Sequence, residues 1–354
     1  MTHSTLAAAI ALVCGAFAAT ILVASEEAKD PATPEATVRG NSISVAAANI
    51  LDHYFRPPAT KGVAIVCCAE KRALADALAA RLKARGTSVT LLEVPEDVPD
   101  AHKHASKAFS DANAALMVLA SARMWGPQEL HRHFVYKDGP SVEAAAGPVF
   151  FDAVTPMPSL VRLYGSDVAQ DRAWLAALKS AFGDNARFRI TTPAGTDIQF
   201  TARKWSALDW EICTAPVEAS VEGVIVVDGA VQFGRVGKPI TVEIRKGRVA
   251  DVRCEDGEDK VFVEYRRTMK DAFAADSANT QLAEVGIGGN GAALVSDVIM
   301  ESEAARGTCH FCFGENTRYG GVNATELHHG TIVVRAAVFF VEALSPEPHW
   351  ERIR

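Results

Sequence analysis

Two textures meet near residue 183 of this chain, and the change between them limits its architecture more than any other feature. Before it, apolar segments alternate in period. Val45 to Phe55 has helical spacing and is stopped by Arg56-Pro57-Pro58. Gly62 to Cys68 is a continuous apolar run, suited to a strand covered on both faces. Leu74 to Arg85 repeats Leu and Ala at helical intervals and ends at Gly86, while Val89 to Val94 and Ala114 to Ala120 read as further strands. Strand, helix and strand in alternation predict an α/β domain with a mostly parallel sheet. The junction after the first strand reads Cys68-Ala69-Glu70-Lys71-Arg72, without the glycines of a phosphate loop, so no nucleotide site is expected there.

Beyond residue 183 the runs become short, β-branched and punctuated by glycine. Phe188 to Thr192, Asp197 to Thr201, Gly223 to Val227, Ile240 to Arg245 and Val249 to Arg253 predict an antiparallel, β-rich α+β domain. Asp228-Gly229 and Lys246-Gly247 supply turns, and Ser277 to Ala283 reads as a short helix leading into Glu284. The expected division is therefore residues 1–42 as an apolar segment and linker, 43–182 as the α/β domain, and 183–354 as the β-rich domain.

With 354 residues, 49% of them hydrophobic, the chain can bury a large core. A formal charge of −7, and the lack of a basic stripe with interleaved aromatics, exclude a nucleic-acid partner from the expected set. Seven cysteines are too few for a disulfide framework at this length, and Cys67-Cys68, closing an apolar run, reads as a pair of buried thiols. The N-terminus stands apart. Leu6 to Ala24 is uncharged and carries eight Leu, Ile, Val or Phe side chains, enough for a spanning helix or an export signal. No Lys or Arg precedes it as a signal peptide would want, so a cytoplasmic location is expected, with export or a membrane anchor through residues 6–24 as the alternative. Asp30 to Asn41, with two prolines and a glycine, reads as the linker that follows.

The chemistry concentrates late in the chain. Glu303 is followed by Gly307-Thr308-Cys309-His310, Phe311-Cys312-Phe313-Gly314, Tyr319-Gly320-Gly321-Val322-Asn323 and His328-His329-Gly330, and is preceded by Leu282-Ala283-Glu284. Imidazoles and carboxylates gathered this closely suit a divalent transition metal. Cys309-His310-Phe311-Cys312 has the spacing of a zinc knuckle, but no second Cys-x-x-Cys exists to complete four ligands. Strand alternation instead puts Cys309 and Phe311 on one face and His310 and Cys312 on the other. Glu284 stands in an apolar setting where an unpaired charge would be costly, so it wants a partner. The pairs His102/His104 and His131/His133 lie in polar stretches and read as surface histidines rather than ligands.

These motifs carry a resemblance. Thr192-Pro193-Ala194-Gly195-Thr196-Asp197, Glu211-Ile212-Cys213-Thr214-Ala215-Pro216, Ser220-Val221-Glu222-Gly223 and Val226-Val227-Asp228-Gly229 resemble the M29 aminopeptidases (the aminopeptidase T group). Leu282-Ala283-Glu284, the Glu303 to His310 spacing and the Gly320-Gly321-x-Asn323 to His328 spacing continue the match in the same order. It is best over roughly 185–335, weaker over the α/β half and absent from the first forty residues. The same family has a second branch that resembles the iron-dependent 2,5-dihydroxypyridine dioxygenases.

The resemblance implies a β-rich C-terminal domain holding a metal centre, usually in a homodimer. Matched residue by residue, Glu211, Glu284, His310 and His328 are the metal ligands, Glu303 is the carboxylate that activates water, and Tyr319 supplies a phenol. Two departures stand out. A family aspartate of a closing His-x-Asp is replaced by Gly330, and the context of the first glutamate is altered to Asp209-Trp210-Glu211. Losing an anionic ligand weakens at least one metal position, for which His329 is a candidate substitute. The function implied first is metal-dependent amide hydrolysis of aminopeptidase type, with Zn, Co, Mn or Mg and a peptide or small-molecule substrate. The alternatives are a single-Fe(II) oxygenase using Glu284, His310 and His328, and a binding protein that has lost its metal.

Overall fold

The computed structural model describes residues 43–55, 62–94, 115–119, 149–152, 155–343 and 349–353. The apolar segment 6–24, the linker after it and the four histidines at 102, 104, 131 and 133 lie outside the described residues. The chain divides into two compact units, Met1–Ser166 and Asp167–Arg354.

The first unit is an α/β layer. Helix α1 (Ile43–Asn49) continues as a wider turn through Tyr54 and stops ahead of Arg56. Strand β1 (Val63–Cys67) leads into α2 (Arg72–Ala84), and β2 (Val89–Glu93), β3 (Ala115–Leu119) and β4 (Val149–Asp152) follow, then α3 (Met157–Tyr164). The strand order is β2-β1-β3-β4, and every pairing is parallel. All of β1 is buried, as a central strand covered on both faces must be. Leu74, Leu78 and Leu82 form the buried stripe of α2, one turn apart. Cys67 and Cys68 are both buried.

The second unit begins with α4 (Val168–Phe182), capped by the Asp167 carboxylate accepting from the Gln170 amide. This helix belongs to the β-rich unit rather than to the α/β half expected to run to residue 182: Leu175 and Phe182 are part of the second unit's core. Then come β5 (Arg187–Thr191), β6 (Asp197–Thr201), β7 (Ser206–Ala207), β8 (Glu211–Thr214), β9 (Glu222–Val227), β10 (Ala230–Val231) and β11 (Gly234–Arg235). A hairpin, β12 (Ile240–Arg245) and β13 (Arg248–Cys254), turns at Lys246-Gly247 and precedes the long helix α5 (Lys260–Ala275). Strand β14 (Leu282–Gly288), the short helix α6 (Ile299–Ala304), β15 (Cys309–Gly314), β16 (His328–Val334), β17 (Val338–Ala343) and β18 (His349–Arg352) complete it.

These strands form two seven-stranded sheets, β13-β12-β9-β6-β5-β17-β18 and β11-β10-β16-β15-β14-β8-β7, with antiparallel pairing throughout. One apolar cluster joins them. Phe188, Ile198 and Ile225 come from the first sheet, Val285, Phe311 and Ile332 from the second, and Tyr265 and Met269 from α5. The second sheet thus spends one face on the core and leaves its other face for polar groups.

Candidate metal centre

Period two explains what the free face of that sheet carries. On β15, Cys309, Phe311 and Phe313 enter the core, so His310 and Cys312 point the opposite way. The pairing register puts Glu284 of β14 opposite Cys312, and Gly286 opposite both His310 of β15 and Cys213 of β8. Glu211, two residues before Cys213, pairs with Gly288. Two carboxylates, one imidazole and two thiols from three adjacent strands therefore share one face. The sequence-based candidates Glu211, Glu284, His310, His328, Glu303 and Tyr319 all come to this region.

Two bulges adjust the pattern. On β14 one extra residue, Ala283, sits between the pairs Leu282↔Phe313 and Glu284↔Cys312. On β16 an extra residue separates Ile332↔Phe311 from His329↔Phe313, and Gly330 there has φ +68°. Bulges re-aim side chains, and this one decides the fate of the family aspartate position. A Cβ on Gly330 would lie 2.5 Å from Met269 Sδ and 3.3 Å from Phe313, heading into the core contact with α5. Thr331 faces the polar site instead: its hydroxyl is 3.2 Å from Cys312 Sγ, and it hydrogen-bonds the Glu303 carboxyl. His329 also turns away, its Nε2 facing the Asn279 carbonyl at 3.3 Å and its ring standing edge-on to Phe273. The substitution of His329 for the missing ligand is thus corrected by the strand geometry.

His328 is oriented by both ring nitrogens. Its Nδ1 lies 2.8 Å from the Glu315 carbonyl, which can only accept, so Nδ1 carries a proton and donates. Its Nε2 then faces Glu284 Oε2 at 2.8 Å. An imidazole fixed through its Nδ1–H to a backbone carbonyl, with Nε2 left to face the site, is how metal-ligating histidines are held. His310 Nε2 stands 3.4 Å from Glu211 Oε2. Its ring occupies the space over Gly286, where a Cβ would come within 2.0 Å of Nε2, so only glycine fits opposite it.

The Tyr319 loop is anchored from below by Glu218. That carboxylate accepts from Asn316 Nδ2 at 3.0 Å, from the Val322 amide at 2.8 Å and from Arg203 at 2.7 Å. Burial alone would raise its pKa, but these donors outweigh it and hold the group down at about 2. Tyr319 is half-buried, with its ring 6.2 Å from that of His328 and the Arg318 guanidinium 4.9 Å above it. Arg318 also pairs with Glu315 at 3.8 Å.

The electrostatics are those of a face short of positive charge. Burial, then the neighbouring Glu284 and Glu303, push the Glu211 carboxyl well above the usual range. Burial and Glu284 push Glu303 up to about 8. Burial opposes ionisation of Glu284 too, yet the hydrogen bond and charge of His328 hold it ionised, well below its ordinary value. Burial lowers His310, which keeps it neutral, and raises the thiols of Cys213 and Cys312. Three carboxyl groups with the neutral His310 imidazole beside them suit a divalent cation, which would draw off their protons, so the residues present fit one. In each of two groups the donor atoms lie within 4.8 Å of one another: Glu284, Cys312 and His328 in the first, and Glu211, Cys213 and Glu284 in the second. Cys213, Cys312, Thr331 and Arg318 were not among the sequence candidates. The signal for the cysteines was present in the spacings Glu211-x-Cys213 and His310-x-Cys312, which put each thiol on the face of a candidate ligand.

An α/β unit followed by a β-rich unit with polar donors on one sheet face is the architecture the resemblance implied. Residues 60–340 match the sequence model of the NicX family, 2,5-dihydroxypyridine 5,6-dioxygenase, and the chain belongs to that family. Among solved structures it is similar to the 2,5-dihydroxypyridine dioxygenase of Pseudomonas putida KT2440, with TM-score 0.57 and 17% identity over 90% of this chain and 96% of that one. It is also similar to wild-type AmpT of Thermus thermophilus, with TM-score 0.54 and 16% identity over 89% and 98% of the two chains. The family and fold thus span a dioxygenase and an M29 aminopeptidase. No curated protein sequence gives a significant match. No helix among the described residues is long and apolar enough to cross a membrane.

Proposed function

We propose that this chain is a metal-dependent hydrolase of aminopeptidase type, cleaving an amide bond next to a free amino terminus. Glu211, Glu284, His310 and His328 are the oxygen and nitrogen ligands, and Glu303 handles the proton of the attacking water. One observation carries the reading: Glu284 is common to both donor groups, Glu284/Cys312/His328 and Glu211/Cys213/Glu284. A carboxylate shared between two positions is what a two-ion hydrolase needs to hold its ions a few ångströms apart. When bound, such ions polarise the scissile carbonyl and acidify water. Glu303, pushed up to about 8 by burial, is poised to take a proton from water and return it to the leaving amine near neutral pH. The Tyr319 phenol, kept neutral by burial, is a donor for the oxygen on which charge develops. Arg318, stacked on that ring, offsets part of the carboxylate charge. Gly330 leaves the site one anionic oxygen ligand short of the family pattern.

A second reading rests on the family match over residues 60–340: a single ion held by Glu284, His310 and His328, opening a small aromatic ring with oxygen. Metal content of protein purified without chelator, beside a His310→Ala control, comes first. Aminoacyl-amide turnover is then measured with Zn and Co, and oxygen uptake with Fe(II) and a dihydroxylated pyridine. Near-stoichiometric metal that is lost in the control, with amide turnover, is the expected result. Oxygen uptake without amide turnover would transfer the assignment to the second reading. No metal after reconstitution would sink both and leave a binding protein.

A further inference from the structure

The shortage of a ligand at position 330 has a local remedy on the neighbouring strand. Gly330 cannot be replaced in function by Thr331 or His329, since the first offers a neutral hydroxyl and the second faces Asn279 and Phe273. Cys312 is differently placed. It is 4% exposed and lies across the strand pair from Glu284, itself 4% exposed. Its Sγ, a Glu284 carboxylate oxygen and a His328 ring nitrogen all lie within 4.8 Å of one another. The bulge that carries residue 330 away leaves the Cys312 sulfur within the same ligand group.

We propose that Cys312 is a metal ligand, and that Glu284, His328 and the Cys312 thiolate form a mixed oxygen, nitrogen and sulfur position in place of an all-oxygen-and-nitrogen one. The assignment rests on the reading that this face holds a cation. Binding exchanges a proton for the ion: the S–H bond breaks, the sulfur–metal bond forms, and the proton leaves to solvent. A thiolate makes the position softer, so zinc, cobalt and iron(II) are favoured over magnesium and manganese. Cys309 is the internal contrast, because the same strand turns it into the apolar core.

The test uses the full chain, stripped with chelator and titrated with cobalt(II). Expected are near-stoichiometric binding and a thiolate-to-cobalt charge-transfer band in the near ultraviolet. The band is absent in Cys312→Ser and retained in Cys213→Ser and Cys254→Ser. Cobalt affinity in Cys312→Ser falls by more than the roughly 10–100-fold that loss of a merely supporting partner costs. X-ray absorption of the zinc-loaded wild type needs no variant and is expected to give a sulfur neighbour at about 2.3 Å. Cobalt bound without the band, or a band lost only in Cys213→Ser, would overturn Cys312 while leaving the metal reading intact. No cobalt binding by the wild type would overturn the metal reading, and the ligand with it.

Discussion

At the scale of single residues, the site depends on a side chain that is absent. His310 lies over Gly286, and a methyl group there would sit 2.0 Å from Nε2 and 2.1 Å from Cε1. The ring must therefore rotate or shift if Gly286 acquires a Cβ, while Val285 and Ile287 on the other face keep their core contacts. Gly286→Ala is expected to retain the fold, with a loss of about 1–3 kcal/mol from overpacking. Its metal affinity is expected to fall as in His310→Ala, by at least about tenfold. Circular dichroism and a calorimetric metal titration on the same samples check both halves. Wild-type affinity in Gly286→Ala would remove His310 from the ligand set. This residue-level arrangement was half legible in the sequence. The histidine was a candidate from its spacing, but its opposition to Gly286 follows from a register between β14 and β15 that no local pattern encodes.

At the scale of elements, alternation did most of the work and bulges undid it where the site is unusual. The rule that separates His310 and Cys312 from Cys309 and Phe311 needs only period two, and the structure obeys it along β15. The same rule applied to His328-His329-Gly330 fails, because an inserted residue in β16 resets the parity and turns Thr331 toward the site. A bulge is set by long-range pairing, so residue types alone do not reveal it. The helix Lys260–Ala275 likewise escaped notice, although its Met269 is what meets position 330. These facts make the obvious repair, Gly330→Asp, a poor one. A non-glycine residue at φ +68° costs about 1–2 kcal/mol, and crowding Met269 and Phe313 adds about 1–3 kcal/mol. Gly330→Asp is expected to lose about 2–5 kcal/mol of stability in a urea titration, by the sum of those two costs, with no gain in metal affinity. Tighter metal binding at unchanged stability would mean that the bulge does not hold residue 330 away from the site.

At the scale of the whole molecule, the parallel sheet of the first unit and the antiparallel sheets of the second were both legible as textures, since each period reports how many faces of a strand are buried. Strand order was not, because it depends on partners far apart in sequence. Every candidate ligand belongs to Asp167–Arg354, and among the described residues none of the donors comes from the first unit. A cation bound there favours the folded second unit by mass action. At a free concentration about 100 times its Kd, the gain is roughly 2.7 kcal/mol. A unit of this size shifts its Tm by about 2–4 °C per kcal/mol, so chelation is expected to lower one calorimetric transition by about 5–11 °C. The physical source is specific: without an ion, burial and the Glu284 charge oppose ionisation of Glu211 and Glu303, and a bound cation offsets that opposition. Zinc added back is expected to restore the transition in the wild type and to restore it only partly in Cys312→Ser. An unchanged Tm on chelation, in protein known from mass spectrometry to have carried metal, would place the bound ion somewhere other than this sheet face.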